Sequence, residues 1–134
     1  MAATFRKHER LCSRQLIDRL YSEGHRLMAF PFSVQWMPLP VEPSRQDSSS
    51  ACQVMIVAPK RKFRHAVDRN SVRRLTRECW RVRKDSLYEF LDGQGLSIVL
   101  SLVYIHNEIM TFDQLAHKMD KLIAALEKDI QGQQ

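Results

Sequence analysis

The hydrophobic positions of this chain change their period several times, and each change marks an element. Leu16, Ile17, Leu20 and Tyr21 recur at the spacing of one helical face. Ser13 before them suits an N-cap and Gly24 after them suits a helix end, so the pattern predicts a first helix over about 13–23. From Phe30 to Met37 the period shortens to two. Phe32, Val34 and Trp36 point one way and Ser33 and Gln35 the other, as in a half-buried strand. Pro38, Pro40 and Pro43 end it. Residues 42–50, rich in Pro and Ser, read as a surface loop, and the β-branched run over 53–58 reads as another strand. The loop is expected to turn these two strands into an antiparallel pair.

Pro59 stops that run, and the basic loop Lys60-Arg61-Lys62-Phe63-Arg64 follows. A helix is predicted from between Ala66 and Asp68 to about Lys84, with Asp68 placed for capping and for the helix dipole. At 100° per residue Val72, Leu75, Cys79 and Val82 fall in one arc, expected to meet the core. Arg69, Asn70, Arg73, Arg74, Arg77, Arg81 and Lys84 fall opposite, with Trp80 among them. Asp92 to Gly95 reads as a turn, and the apolar run 96–105 as a central strand covered on both faces. Thr111 and Gln114 are spaced as a capping box. Phe112, Leu115, Ala116, Met119, Leu122, Ile123 and Leu126 then trace an amphipathic helix to about Ile130. The order αββαβα, with one extra short strand before the basic helix as a variant, predicts an α+β fold. Its form is a two-layer α/β sandwich with a mixed sheet packed by helices. The expectation is one domain over 1–134, its core about 5–130.

Charge sharpens this picture. The formal net charge is +6, but residues 60–84 hold eleven of the 21 Lys and Arg and two of the 15 acids. The rest of the chain is net acidic, so the positive charge is a patch suited to a polyanion. Arg69, Arg73, Arg77 and Arg81 stand above one another at i, i+4, which opposes helix formation by about 1 kcal/mol in all. A face with nothing to bind would not be expected to carry that. Trp80 either stacks on a base or covers the edge of the core. Five phosphate contacts would give a salt slope of roughly −3.5 to −4.5.

Catalytic motifs are missing. The chain has no G-x-S-x-G, Walker loop, H-E-x-x-H or glycine-rich dinucleotide turn. Its five histidines are scattered, and Glu78 is expected to make a local salt bridge. Cys12, Cys52 and Cys79 have no metal-ligand spacing and read as reduced thiols. No catalytic or metal-binding residue is assigned. No signal-peptide pattern opens the chain and no apolar run is long enough to span a bilayer, so a cytoplasmic location without membrane attachment is expected.

The run Arg69-Asn70-x-x-Arg73-Arg74-x-x-Arg77-Glu78, preceded by Lys60-Arg61-Lys62 and Ala66-Val67, closely resembles the signature of the bacterial ribonuclease P protein component. Glu9-Arg10-Leu11, Gly24, Phe32 and a C-terminal helix extend the likeness over roughly residues 5–126. The resemblance implies a protein subunit that assists a catalytic RNA in the endonucleolytic removal of the 5′ leader from precursor tRNA. Hydrolysis would belong to the RNA with bound Mg²⁺, and no obligate protein partner is implied. Arg69, Asn70, Arg73, Arg74 and Arg77 carry over directly and would face the catalytic RNA; Lys60, Arg61 and Lys62 carry over more loosely, and Arg81 joins them from the same cationic face. Ile17, Tyr21, Ser33 and Gln35 would hold the leader, in a cleft between the first helix and the sheet. The family fold also implies a left-handed crossover between parallel strands around the basic helix. Arg73 stands where the family often has Lys, the basic loop lacks the usual glycine, and Ile17 replaces an aromatic. The alternative is a generic RNA-binding or ribosome-associated protein with no processing role; a self-sufficient nuclease would need clustered carboxylates that the chain lacks.

Overall fold

Seven elements follow one another in the computed structural model, which describes residues 10, 11, 13–38 and 52–132. They are α1 (Arg14–Glu23), β1 (His25–Ala29), β2 (Phe32–Pro38), β3 (Cys52–Val57), α2 (Ala66–Gln94), β4 (Ile98–Tyr104) and α3 (Phe112–Gly132). The observed order is therefore αβββαβα. The extra strand lies directly after the first helix and forms a hairpin with β2 across Phe30-Pro31, a cis peptide. Residues 1–9, 12, 39–51 and 133–134 lie outside the described set, and with them Phe5, Cys12 and the 42–50 loop.

The four strands form one mixed sheet in the order β1-β2-β4-β3. This corrects one expectation: β2 and β3 are not paired. β4 lies between them, antiparallel to β2 and parallel to β3. The physical reason is β4 itself, which is apolar on nearly every position and gains most from neighbours on both sides. The connection from β3 to β4 is a parallel crossover, and α2 is that crossover.

Register sorts the strands into two faces. Phe32, Val34 and Trp36 of β2 lie beside Tyr104, Leu102 and Leu100 of β4 and beside Val54 of β3, facing α2 and α3. This main core includes two fully buried tryptophans, Trp36 and Trp80. Truncating a buried tryptophan typically costs ~3–5 kcal/mol. The Trp36 indole donates to the Asp129 carboxylate at 2.6 Å, pinning β2 to α3. On the other face α1 packs through Leu20 against Met37, Val99 and Leu11 in a smaller cluster. The sandwich of sheet against α2 and α3 thus carries α1 on its opposite side.

Local signals set the helix ends. Ser13 caps α1 through its side chain to the Leu16 N–H, and Thr111 and Gln114 exchange the two bonds of a capping box at α3. Gly24 is needed for space: its N–H donates to the Leu20 carbonyl, and a Cβ there would stand 2.3 Å from that oxygen. The basic helix differs from its prediction in three respects. Its cap position is His65, with Asp68 in the first turn, where the dipole still favours a carboxylate. It runs ten residues beyond Lys84, through Asp92 and Gly93, and ends at Gly95 in the left-handed region (φ 64°). Leu87 and Leu91 are wholly buried, and this packing overrides the weak local signal to stop.

The third difference is rotational. The buried side of α2 is Val72, Thr76, Cys79, Trp80, Lys84, Leu87 and Leu91, whereas Val82 is 51% exposed. The face is turned about a quarter-turn from the arc of Val72, Leu75, Cys79 and Val82. Trp80 offers more apolar surface than Val82, and the Thr76 hydroxyl enters the core satisfied, donating to the Val72 carbonyl at 2.8 Å.

Candidate RNA interface

The cations of α2 and of the loop before it fall into two groups. The loop leaves β3 at Ala58-Pro59, and Lys62 and Phe63 donate their N–H groups back to the Pro59 carbonyl. Phe63 is buried against the core, so the loop is anchored at its middle while Lys60, Arg61 and Arg64 stay exposed. These three line an open concavity of about 530 Å³. Lys62 turns away from it and donates to the Asn107 side chain at 3.0 Å. Arg69, on the first turns of α2, donates to the Phe63 and Arg64 carbonyls at 2.8 and 3.0 Å. It therefore holds the shape of the basic loop, and Arg69 combines a structural role with its charge.

Further along α2, Arg73 bonds the exposed Asn70 side chain, an i, i+3 pair that orients both groups. Arg74 is exposed beside them. The Arg77 Nε atom is buried and has no hydrogen-bond partner among the described residues. Burial lowers the Arg77 pKa, and the neighbouring charges of Arg10, Arg73 and Arg74 lower it further, opposed by Glu78. Arg10 reaches this cluster because its segment bridges β3 in parallel at Val54. Three guanidinium groups thus act on that of Arg77, and among the described residues Glu78 offsets them. Arg81 is paired with Glu78 at 2.6 Å, the local salt bridge expected of that glutamate. Arg83 reaches across to Asp120 of α3 at 2.9 Å.

Two residues read as lying on the cationic face do not. Trp80 is fully buried in the main core, so it covers no base, and Lys84 is 3% exposed with its ammonium 5.3 Å from the Tyr88 ring centroid. Both follow from the rotation of the helix.

The second candidate site is the sheet face that carries α1. Register places Ser33 and Gln35 of β2 there, with Ser101 and Val103 of β4 and Arg26 and Met28 of β1. Tyr21 of α1 is 44% exposed and shares a 3.3 Å hydrogen bond with the buried Ser101 hydroxyl. Ile17 is partly buried against the small apolar cluster, and Gln35 is 7% exposed. Tyr21, Ser33 and Gln35 are therefore brought to one face, while Ile17 serves chiefly to seat the helix. Ser101, Arg26 and Arg10 were missed. A serine within an otherwise apolar central strand was the signal for Ser101; the other two depend on register and on a bridge between distant segments.

Among the described residues no three His, Cys, Asp or Glu side chains are grouped to hold a metal ion. None of their helices is long and apolar enough to cross a membrane. Cys52 and Cys79 are buried, and burial pushes the Cys79 thiol up to about 11.

Fold and site together define a basic α+β domain whose exposed chemistry is that of a nucleic-acid-binding subunit. The sequence profile of the Ribonuclease P family matches residues 5–127, nearly the whole chain. The chain belongs to the ribonuclease P protein family. The ribonuclease P protein component of Porphyromonas gingivalis is 26% identical over 115 residues, spanning 86% of this chain and 80% of its own. That of Chlorobium phaeobacteroides is 28% identical over 130 residues, spanning 90% and 86%. The fold matches the RNase P protein of Staphylococcus aureus with a TM-score of 0.66 at 19% identity, over 88% of this chain and 94% of that one. It matches that of Thermotoga maritima with a TM-score of 0.63 at 20% identity, over 86% and 94%. The role of the chain is that of the protein subunit of a tRNA-processing endoribonuclease, with the RNA subunit as its partner.

Proposed function

We propose that the two cationic groups and the α1 cleft divide the work of this subunit between two RNAs. The basic loop and the exposed side of α2, from Lys60 to Arg81, dock on the catalytic RNA. The cleft around Tyr21, Ser33 and Gln35 takes the single-stranded 5′ leader of precursor tRNA. The observation that carries the first half is geometric: Lys60, Arg61 and Arg64 line one open concavity, and Arg74 stands exposed beside the Arg73–Asn70 pair on the adjoining helix. A surface of that kind suits a phosphate backbone.

The second half is supported by Tyr21, an exposed aromatic whose hydroxyl is tethered to the sheet, on the same face as the half-buried Ser33. In this reading Mg²⁺ is held by the catalytic RNA and supplies the hydrolytic chemistry there. This chain binds, orients and neutralises charge, in the cytoplasm and without a membrane.

Reconstitution tests the whole reading. The protein is added to a cognate catalytic RNA at low Mg²⁺, and cleavage of precursor tRNA is followed. Stimulation is expected, with loss of stimulation when Arg73 and Arg77 are replaced. No stimulation by the intact protein would favour a generic RNA-binding role instead, and cleavage by the protein alone would overturn the division of labour.

A further inference from the structure

The β1–β2 hairpin carries at its tip an exposed aromatic that neither proposed surface uses. Phe30 stands at the tip of the β1–β2 hairpin and is 48% exposed. The tip is held in place, because the Ile105 N–H donates to the Pro31 carbonyl at 2.8 Å. The His106 ring lies 5.1 Å from the Phe30 ring at 60°, an edge contact that sets the plane of Phe30 and leaves half of it in solvent. A ring fixed in this way gives up little freedom when a flat partner lands on it.

The basic loop adjoins this ring. His106 stands two residues after Tyr104, whose ring meets both His106 and Phe63, the buried anchor of the loop. Lys62 bonds Asn107, the residue after His106. Phe30, His106 and the concavity of Lys60, Arg61 and Arg64 thus belong to one end of the molecule, the end where β3 and β4 finish. An aromatic face beside a cationic groove is the arrangement that holds single-stranded nucleic acid, bases on the ring and phosphates on the cations.

We propose that Phe30, braced by His106, is a stacking platform for an unpaired nucleobase of the RNA subunit, whose backbone continues into the Lys60–Arg64 concavity. The inference rests on the assignment of the basic loop to the catalytic RNA. Geometry favours that RNA over the leader as occupant. The neighbours of Phe30 tie it to the basic loop through Tyr104, Phe63 and the Lys62–Asn107 bond, whereas Tyr21 of the leader cleft meets Ser101, level with Gln35 and about 17 Å along β2 from Phe30 at the rise of a strand.

The test measures affinity for the RNA subunit alone, without precursor tRNA, across a salt series. Phe30→Ala is expected to weaken binding by about 5- to 150-fold with an unchanged salt slope, since the ring carries no charge, and Phe30→Tyr is expected to keep the affinity. Lys60→Ala with Arg61→Ala serves as the comparison and is expected to flatten the slope by ~1.4–1.8. An unchanged affinity for Phe30→Ala beside a flattened slope for the pair overturns the platform and leaves the loop assignment standing. If neither variant has any effect, the loop assignment itself falls. Should Phe30→Ala melt early, a photoreactive phenylalanine at position 30 decides. A crosslink to a nucleotide of the RNA subunit supports the proposal; a crosslink to the leader, or none, overturns it.

Discussion

Each arginine of α2 has its own surroundings, and these decide what its replacement should do. Arg73 and Arg77 belong to the crowded cluster, so Arg73→Ala with Arg77→Ala should weaken RNA binding and flatten its salt dependence by ~1.4–1.8 in slope. Thermal stability should hold or rise slightly, because repulsion and a buried Nε are removed together. Arg69→Ala should behave differently. It frees two carbonyls that shape the basic loop and should cost about 1–2 kcal/mol in thermal unfolding. Tyr21 separates its two functions in the same way. Tyr21→Phe loses one hydrogen bond to Ser101, ~0.5–1.5 kcal/mol of stability, and keeps the ring. Tyr21→Ala should reduce affinity for precursor tRNA more than for mature tRNA; equal losses in a titration would remove Tyr21 from the leader site.

At the scale of elements, the sequence was most readable where a local rule decides the outcome. The capping box at Thr111, the alternation of β2 and the apolar stripe of α3 all stand where their patterns place them. β1 was illegible because His25 and Arg26 occupy two of its five positions, and only pairing with β2 makes it a strand. The rotation of α2 was hidden for a related reason. Thr76 and Lys84 look polar to a period count, yet one is satisfied within the helix and the other lies over Tyr88. The exposed arginines of α2 were legible from spacing, but the burial of Trp80 and Lys84 depends on that rotation, and the approach of Arg10 depends on its bridge to β3. Gly24 offers a test of how tightly one element constrains the next. Gly24→Ala must push its methyl group away from the Leu20 carbonyl and shift α1 against β1. It should lower the melting temperature and weaken leader binding, while affinity for the RNA subunit is retained.

For the molecule as a whole, the buried titratable groups set an alkaline limit. The Cys79 thiol ionises near 9.0 when exposed and is pushed up to about 11 in the fold. Between those values the unfolded chain has released a proton that the native chain keeps, so native stability falls as pH rises from about 9 to about 11. Tyr104, also raised by burial, acts in the same direction. Denaturant midpoints measured across this range should decline, and Cys79→Ala should make the decline shallower even if it lowers the midpoint at pH 7. A slope identical in the two proteins would show that Cys79 is not its source. The crossover has a different consequence, one of timing. β4 is the partner of both β2 and β3, and of the described strands it is the last to leave the ribosome. Until residue 104 has emerged, the hairpin and β3 wait with bare inner edges, and the finished cationic helix precedes the sheet it is meant to rest on. The nascent chain can therefore meet RNA before it has closed its own core.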